Sequence, residues 1–344
     1  MRTTYAVLGA GGWGTAVAIH LAKRPEHTVR LWAHTKSSAD ALRDRRENVR
    51  QLPGVTIPET IAIHDDPVEA TRDADTWVIA IPTAYLRATL APFTALAKPN
   101  LRAVSLTKGI EADTFLLPTE ILSELLPGCT TAVLSGPSHA EEMARGMPTS
   151  VVVASRDAEF AVDTQRAFGT DRFRVYTNLD VRGVEIAAAL KNVIGIAAGL
   201  CDGLGFGDNA KSALLTRGIV EMTRFGVALG ADPATFAGLA GIGDLITTCF
   251  SKHGRNRRVG ERLAKGDTLE QILSGPQVAE GVTTARSIEQ RRVQMGLDLP
   301  IMSGVYAVLY EKKSPLLAVQ DLMSRQMRGE DAFDSVVKSA HSLR

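Results

Sequence analysis

The amino-acid sequence predicts an α/β doubly wound sheet followed by an all-α C-terminal domain. Three observations carry that prediction. Short apolar runs alternate with helix-length stretches through the first half. Those runs lack a strict in–out alternation, as strands covered on both faces do. After about Asn178 the apolar residues recur at helical spacing only. The predicted division is residues 1–179 for the sheet domain and 180–344 for the helical one, since a chain of 344 residues suits two domains better than one.

The elements follow in order. "YAVLG" reads as a strand, "TAVAIHLAKR" as a helix and "TVRLWAH" as a second strand. "DTWVIAIP", "LRAVSLTK" and "TAVLSGP" are further strands, separated by stretches long enough for crossover helices. Beyond them, "VEIAAALKNVIGIAAGLCDGLG" and "NAKSALLTRGIVEMTRFGVALG" are helical, the second with Asn209 as N-cap and Gly230 as its stop. "DPATFAGLAG" opens with Asp232 and Pro233 in the order of an N-cap and first helical residue. From there onward the pattern shows helices and loops, with no repeat or low-complexity tract.

Composition narrows the function. The 39 basic and 38 acidic residues leave a net charge of +1, which predicts no nucleic-acid-binding face and no anionic-membrane face. Cys129, Cys201 and Cys249 are widely spaced and form neither a CxxC pair nor a disulfide framework, as in a reducing cytosol. The 7 histidines make no HxxxH and no cluster with cysteine, so no metal is expected. "MRTTYAVLGAGG" lacks the features of a secretory signal, and no apolar run reaches bilayer length. These features predict a cytoplasmic protein.

"VLGAGGWGTA" sets Gly9, Gly11 and Gly14 in GxGxxG spacing between a strand and a helix. The first glycine allows a tight turn, the second lets a pyrophosphate reach the backbone, and the third brings helix against strand. The helix N-terminus adds free amides and partial positive charge. In this context the motif predicts dinucleotide binding through Gly9, Gly11, Gly12, Trp13 and Gly14. The second strand ends "RLWAHTK" with no acid before Asp40 to hold ribose hydroxyls. His34 and Lys36 stand there instead, suited to a 2′-phosphate. That predicts NADP over NAD, with NAD still open if the two are ordinary surface residues.

"AAALKNVIGIAAGL" places Lys191 in an otherwise uncharged helix. Alone, the stretch favours a snorkelling lysine whose amine reaches water. Four other stretches carry polar groups at structural junctions: Lys108 in "SLTKGIE", Gly136, Ser138 and Ala140 in "LSGPSHAEE", Asp244 in "GIGDLITTC", and Arg255 with Asn256 in "KHGRNRRVGERL". Each has a plain alternative as a solvated charge, turn glycine, helix cap or basic surface helix.

Together these motifs resemble the NAD(P)-dependent glycerol-3-phosphate dehydrogenase family along almost the whole chain, from "GAGGWGTA" through "IPTAYLR", "SLTKGIE", "LSGPSHA", "ALKNVIGIAAG", "GIGDL" and "GRNRRVG" to "VAEGVTTA". The resemblance implies a Rossmann-type domain, a helical domain and an active site between them. It implies hydride exchange between a nicotinamide and C2 of sn-glycerol 3-phosphate or dihydroxyacetone phosphate, feeding glycerophospholipid synthesis. It makes Lys191 the proton acceptor, and Lys108, Gly136, Ser138, Asp244, Arg255 and Asn256 substrate contacts. Trp13, His34, Lys108, Ala140, Arg255, Val278 and Glu280 become cofactor contacts, the last two with a neighbouring register as the alternative.

The chemistry suits those residue types. A secondary alcohol releases hydride readily only as its proton leaves, so a base must reach the C2 hydroxyl. A lysine serves if an apolar setting and a second cation such as Lys108 lower its pKa, while Asp244 opposes the shift and orients the amine. Arg255 and Asn256 at a helix start suit a phosphate. The chain departs from the family at Gly12 and Gly254, where serine is usual, and at His139, where an aromatic residue is usual. Gly254 and His139 keep open a second reading, a paralogue acting on another phosphate- or phosphonate-bearing alcohol. A non-catalytic nucleotide-binding regulator is disfavoured because the base and the phosphate contacts are all present. The apolar helical half suggests a homodimer.

Overall fold

The computed structural model describes residues 2–251, 254–275 and 279–326. The chain divides into two units, one of Met1–Lys108 with Leu117–Val181 and the other of Gly109–Leu116 with Arg182–Arg344.

The first unit runs β1 (Thr3–Leu8), α1 (Gly12–Leu21), β2 (His27–Trp32), α2 (Lys36–Arg45), β3 (Glu47–Asn48), β4 (Leu52–Thr56), β5 (Ile61–His64) and α3 (Pro67–Thr71). It continues β6 (Thr76–Ile79), α4 (Thr83–Leu90), β7 (Arg102–Ser105), α5 (Pro118–Leu125), β8 (Thr130–Ser135), α6 (Ala140–Ala144), β9 (Thr149–Ser155), α7 (Ala158–Phe168) and β10 (Phe173–Asn178). Eight strands form one sheet in the order β10-β9-β8-β7-β6-β1-β2-β5. Burial explains the unbroken apolar runs: β6 is buried at all four positions, and β1 and β8 at their last four. The edge strand β10 instead alternates buried and exposed residues over its first four.

The doubly wound expectation holds with one modification. β8 and β9 pair antiparallel, and β10 runs parallel to β9. Two strands therefore oppose the other six, and the sheet is mostly rather than wholly parallel. The apolar run "TSVVVAS" marks a buried strand but carries no direction. The connection sets that, and here it holds only the five-residue α6. β3 and β4 form a separate antiparallel pair.

The second unit is helical among the described residues: α8 (Val181–Gly203, whose first residue belongs to the first unit), α9 (Asp208–Ala228), α10 (Pro233–Phe236), α11 (Asp244–Phe250), α12 (Arg255–Ala264), α13 (Leu269–Leu273), α14 (Glu280–Met295), α15 (Pro300–Tyr310) and α16 (Pro315–Met323). α9 starts one residue before the expected cap Asn209, with Gly207 as N-cap. Gly230 does end it, at a φ of 85°, and Asp232 Oδ1 caps α10 through Ala234 N at 2.9 Å. Gly109–Leu116 joins this unit through Phe115, which meets Phe225 at 6.0 Å between ring centroids and lies under Arg291 at 5.3 Å.

The expectation that no apolar run reaches bilayer length is corrected. Val181–Gly203 and Pro233–Phe250 are both long and apolar enough to cross a membrane by length and composition. The apolar window of α8 is 100% buried inside the protein. It passes the test because that window is a buried core segment of its unit.

Candidate functional site

In the first unit, the glycine loop joins β1 to α1 as a cradle that side chains would fill. Gly9 takes a φ of 118°, and a Cβ there would stand 2.5 Å from Ala80 O. A Cβ on Gly14 would fall 1.9 Å from Gly9 O, so only glycine lets α1 start this close to the turn. α1 carries no acid in its first turn, leaving its positive end unopposed for an anion. This geometry leaves the loop backbone open to close approach by a phosphate group, as a dinucleotide would require. Trp13 and Ala140 pack against the core of this unit.

The loop is braced by the β3–β4 pair. Buried Asn48 donates Nδ2 to Ala10 O at 3.0 Å and to Thr15 Oγ1 at 2.9 Å. Gly12 N donates to Gln51 Oε1 at 3.0 Å. The sequence reading missed both residues: β3 is two residues long and the stretch is polar, so no strand or motif signal marks it.

Past the end of β2, His34 and Lys36 are exposed. His34 meets Trp32 edge-on at 5.6 Å between ring centroids. Lys36 pairs with Asp40 at 2.9 Å, and that contact raises its pKa. Past the ends of β7 and β8, Lys108 Nζ donates to Gly136 O at 3.3 Å and Ser138 Oγ to the same oxygen at 2.9 Å. Three expected substrate contacts thus converge on one carbonyl.

In the second unit, Lys191 on α8 does not snorkel. Its amine is buried and donates to Thr248 Oγ1 at 2.8 Å and to Asn192 Oδ1 at 3.1 Å. Asp244 Oδ1 stands 3.5 Å from both Lys191 Nζ and Thr248 Oγ1. Asp244 is the first residue of α11, following a π-helical turn over Leu239–Gly243, so it begins a helix rather than sitting in a simple turn. Asn256 continues the network, donating Nδ2 to Asn192 Oδ1 at 2.9 Å and accepting from Gly281 N at 3.0 Å. Cys249, next to Thr248, is kept a neutral thiol because burial pushes its pKa up to about 12.

The network therefore unites Lys191, Asp244 and Asn256 with two residues the sequence reading did not single out. Thr248 lies four residues after Asp244, hence on the same helix face, and that spacing was a usable signal. Asn192 is simply the neighbour of Lys191. Arg255 is exposed and lines, with Arg258, Arg262, Val259 and Ile272, a cavity of about 220 Å³. Glu280 begins α14, and Val278 lies outside the described residues. Among the described residues, no group of three or more His, Cys, Asp or Glu could hold a metal ion.

A glycine loop opening a helix in a mostly parallel sheet, followed by a helical unit with a buried lysine network, defines a Rossmann-type oxidoreductase. Comparison with known proteins is more specific. The chain matches the N-terminal family model of NAD-dependent glycerol-3-phosphate dehydrogenase over residues 4–161 and the C-terminal one over 180–320. It is 49% identical over 328 residues to the glycerol-3-phosphate dehydrogenase [NAD(P)+] of Chlorobium phaeobacteroides (strain BS1), covering 94% of this chain and 98% of the relative. The Salinibacter ruber enzyme 1 of the same name is 45% identical, covering 94% and 96%. The crystal structure of glycerol-3-phosphate dehydrogenase from Coxiella burnetii superposes with a TM-score of 0.90 at 34% identity, covering 94% of this chain and 99% of that one. The chain belongs to the NAD-dependent glycerol-3-phosphate dehydrogenase family.

Proposed function

We propose that the chain interconverts sn-glycerol 3-phosphate and dihydroxyacetone phosphate, with Lys191 moving the proton and NADP as the preferred cofactor. The observation that carries this reading is the buried amine of Lys191, held by Thr248, Asn192 and Asp244 in a helix otherwise free of positive charge from Gly183 to Cys201. When bound, the nicotinamide supplies or accepts the hydride. Lys191 takes the proton of the C2 hydroxyl in oxidation and returns it to the ketone oxygen in reduction. Asp244 stabilises the ammonium once the proton arrives, and Thr248 fixes the direction of the amine. Such proton transfer contributes about 100- to 10,000-fold in rate.

Lys108, Gly136, Ser138, Asp244, Arg255 and Asn256 are the substrate contacts in this reading. One Nδ2 hydrogen of Asn256 holds Asn192 and its Oδ1 holds the start of α14, so these bonds orient the amide while its second hydrogen serves the substrate. The arginine-lined cavity on α12 supports an anionic substrate. Gly254 supports packing more than a change of substrate: a Cβ there would stand 3.0 Å from Thr248 O. Gly9, Gly11, Gly12, Trp13, Gly14, Ala140, Val278 and Glu280 are the cofactor contacts in this reading. His34 and Lys36 take its 2′-phosphate. The Lys36–Asp40 pair does not forbid this, because an exposed ion pair holds by only ~0–1 kcal/mol.

Initial rates with dihydroxyacetone phosphate and either NADPH or NADH test the cofactor choice. A higher kcat/KM with NADH would reverse it, and faster turnover of another phosphorylated ketone would replace the substrate. The product glycerol 3-phosphate would serve glycerophospholipid synthesis. Three free cysteines support a reducing, cytoplasmic setting. Exposed Ile246, Phe250, Leu316 and Leu317 support a homodimer, which light scattering would test.

A further inference from the structure

We propose that Gln51 is a built-in competitor for the cofactor's pyrophosphate and thereby sets the affinity for the dinucleotide. The proposal rests on the dinucleotide reading above and adds a residue to it. Gly12 N belongs to the first turn of α1, whose amides have no acceptor within the helix. In a loop of this kind those amides receive the pyrophosphate. Here the Gly12 amide donates instead to Gln51 Oε1 at 3.0 Å. A neutral side-chain oxygen thus sits on a donor that the ligand needs.

The surroundings separate a fixed backbone from a movable side chain. Gln51 N donates to Asn48 O at 3.1 Å and lies 3.2 Å from Asn48 Oδ1. Asn48 is itself tied to Ala10 O and Thr15 Oγ1, so the turn between β3 and β4 is fastened to the glycine loop. The Gln51 side chain is exposed and can rotate away. Space on the loop is matched to it. A Cβ on Gly12 would stand 2.7 Å from Gln51 O, and one on Gly11 would stand 3.2 Å from Gln51 Oε1. Glycine at both positions lets Gln51 lie against the loop. A pyrophosphate oxygen, charged where the glutamine oxygen is neutral, makes the stronger bond to the same amide and displaces it at a cost in net affinity.

Equilibrium binding of NADPH to the wild-type chain and to Gln51→Ala, followed by nicotinamide fluorescence, tests this. Adenosine 2′-monophosphate serves as the probe without a pyrophosphate. Gln51→Ala should bind NADPH about 3- to 10-fold more tightly, the range one net hydrogen bond gives, with the monophosphate unchanged. A purely structural role would instead weaken both ligands. Gln51→Glu should weaken NADPH by about tenfold or more, since a carboxylate grips the amide harder and repels the pyrophosphate. Equal or weaker NADPH binding by Gln51→Ala overturns the proposal and leaves the dinucleotide reading standing. No NADPH binding by either chain overturns both.

Discussion

Lys191 Nζ lies 3.5 Å from Asp244 Oδ1, and the two side chains are 7% and 4% exposed. A buried pair of this kind is held to one geometry by its neighbours. Removing either partner alone leaves an uncompensated charge, which costs about 3–5 kcal/mol. Stability and chemistry are therefore linked at one contact, and a single substitution cannot separate them.

A double substitution can. Lys191→Met is expected to lower kcat by about 100- to 10,000-fold and also to lower the melting temperature. Adding Asp244→Asn removes the orphaned charge, so the melting temperature should recover while activity stays lost. Thermal melts and steady-state rates on the same preparations check this. Recovery of activity together with stability would remove Lys191 from the chemistry.

The geometry of the network depends on a backbone contact between α8 and α12. A Cβ on Gly199 would fall 1.8 Å from Arg257 O, and one on Gly260 would fall 2.0 Å from Ile196 O. Lys191 and Asn192 lie on α8, and Asn256 on α12. Gly260→Ala should cost about 3 kcal/mol or more by overpacking and lower kcat by parting Asn192 from Asn256. Denaturant midpoints and turnover measured together check both effects.

How much of this was legible in sequence depended on whether the signal was local. Gly9 and Gly14 were readable because a turn and a close helix contact both demand glycine within six residues. Lys191 stood out as a lone cation among small apolar residues, although its partners Thr248 and Asp244 lie more than 50 positions away and only the family resemblance pointed to Asp244 and Asn256. The direction of β9 was not readable, since an apolar run looks the same both ways. Asn48 and Gln51 gave no signal at all: they act through a few side-chain hydrogen bonds from a two-residue strand and the turn that follows it. The apolar length of α8 was misjudged because Lys191 and Glu185 interrupt a run that is nonetheless buried from Gly183 to Cys201.

In the first unit, His20 on α1 reaches Phe168 O at 2.6 Å and packs against the Phe173 ring at 4.6 Å. A carbonyl only accepts, so Nε2 carries the proton of a neutral imidazole. Burial lowers the His20 pKa from 6.5 to about 4. Between those values the unfolded chain holds more protons than the folded one, so stability is lost as pH falls from 6.5 towards 4. The loss amounts to about 3 kcal/mol. His20→Gln should flatten that part of the curve, read as chemical-denaturation free energy at pH 7 and pH 4.5.

Glu221 sends the second unit in the opposite direction. From α9 its carboxylate accepts from Ile301 N at 2.8 Å and Met302 N at 3.1 Å, capping α15 across the fold. Burial raises its pKa from 4.5 to about 7, against the lowering effect of those two amides and of Arg224, with Asp298 adding a small further rise. Between 4.5 and 7 the folded chain holds more protons than the unfolded one, so this group's contribution falls as pH rises, by about 3 kcal/mol in all. Glu221→Gln keeps one acceptor for the α15 amides and removes the titration. Its stability should therefore be lower than wild type at pH 5 and closer to it at pH 8. Hydrogen exchange resolved by segment separates this from His20: acid should loosen the α1 and α7 amides, whereas raising the pH should loosen those of α9 and α15. If both groups of amides responded to pH with the same sign, the assignment of these opposite slopes to His20 and Glu221 would be wrong.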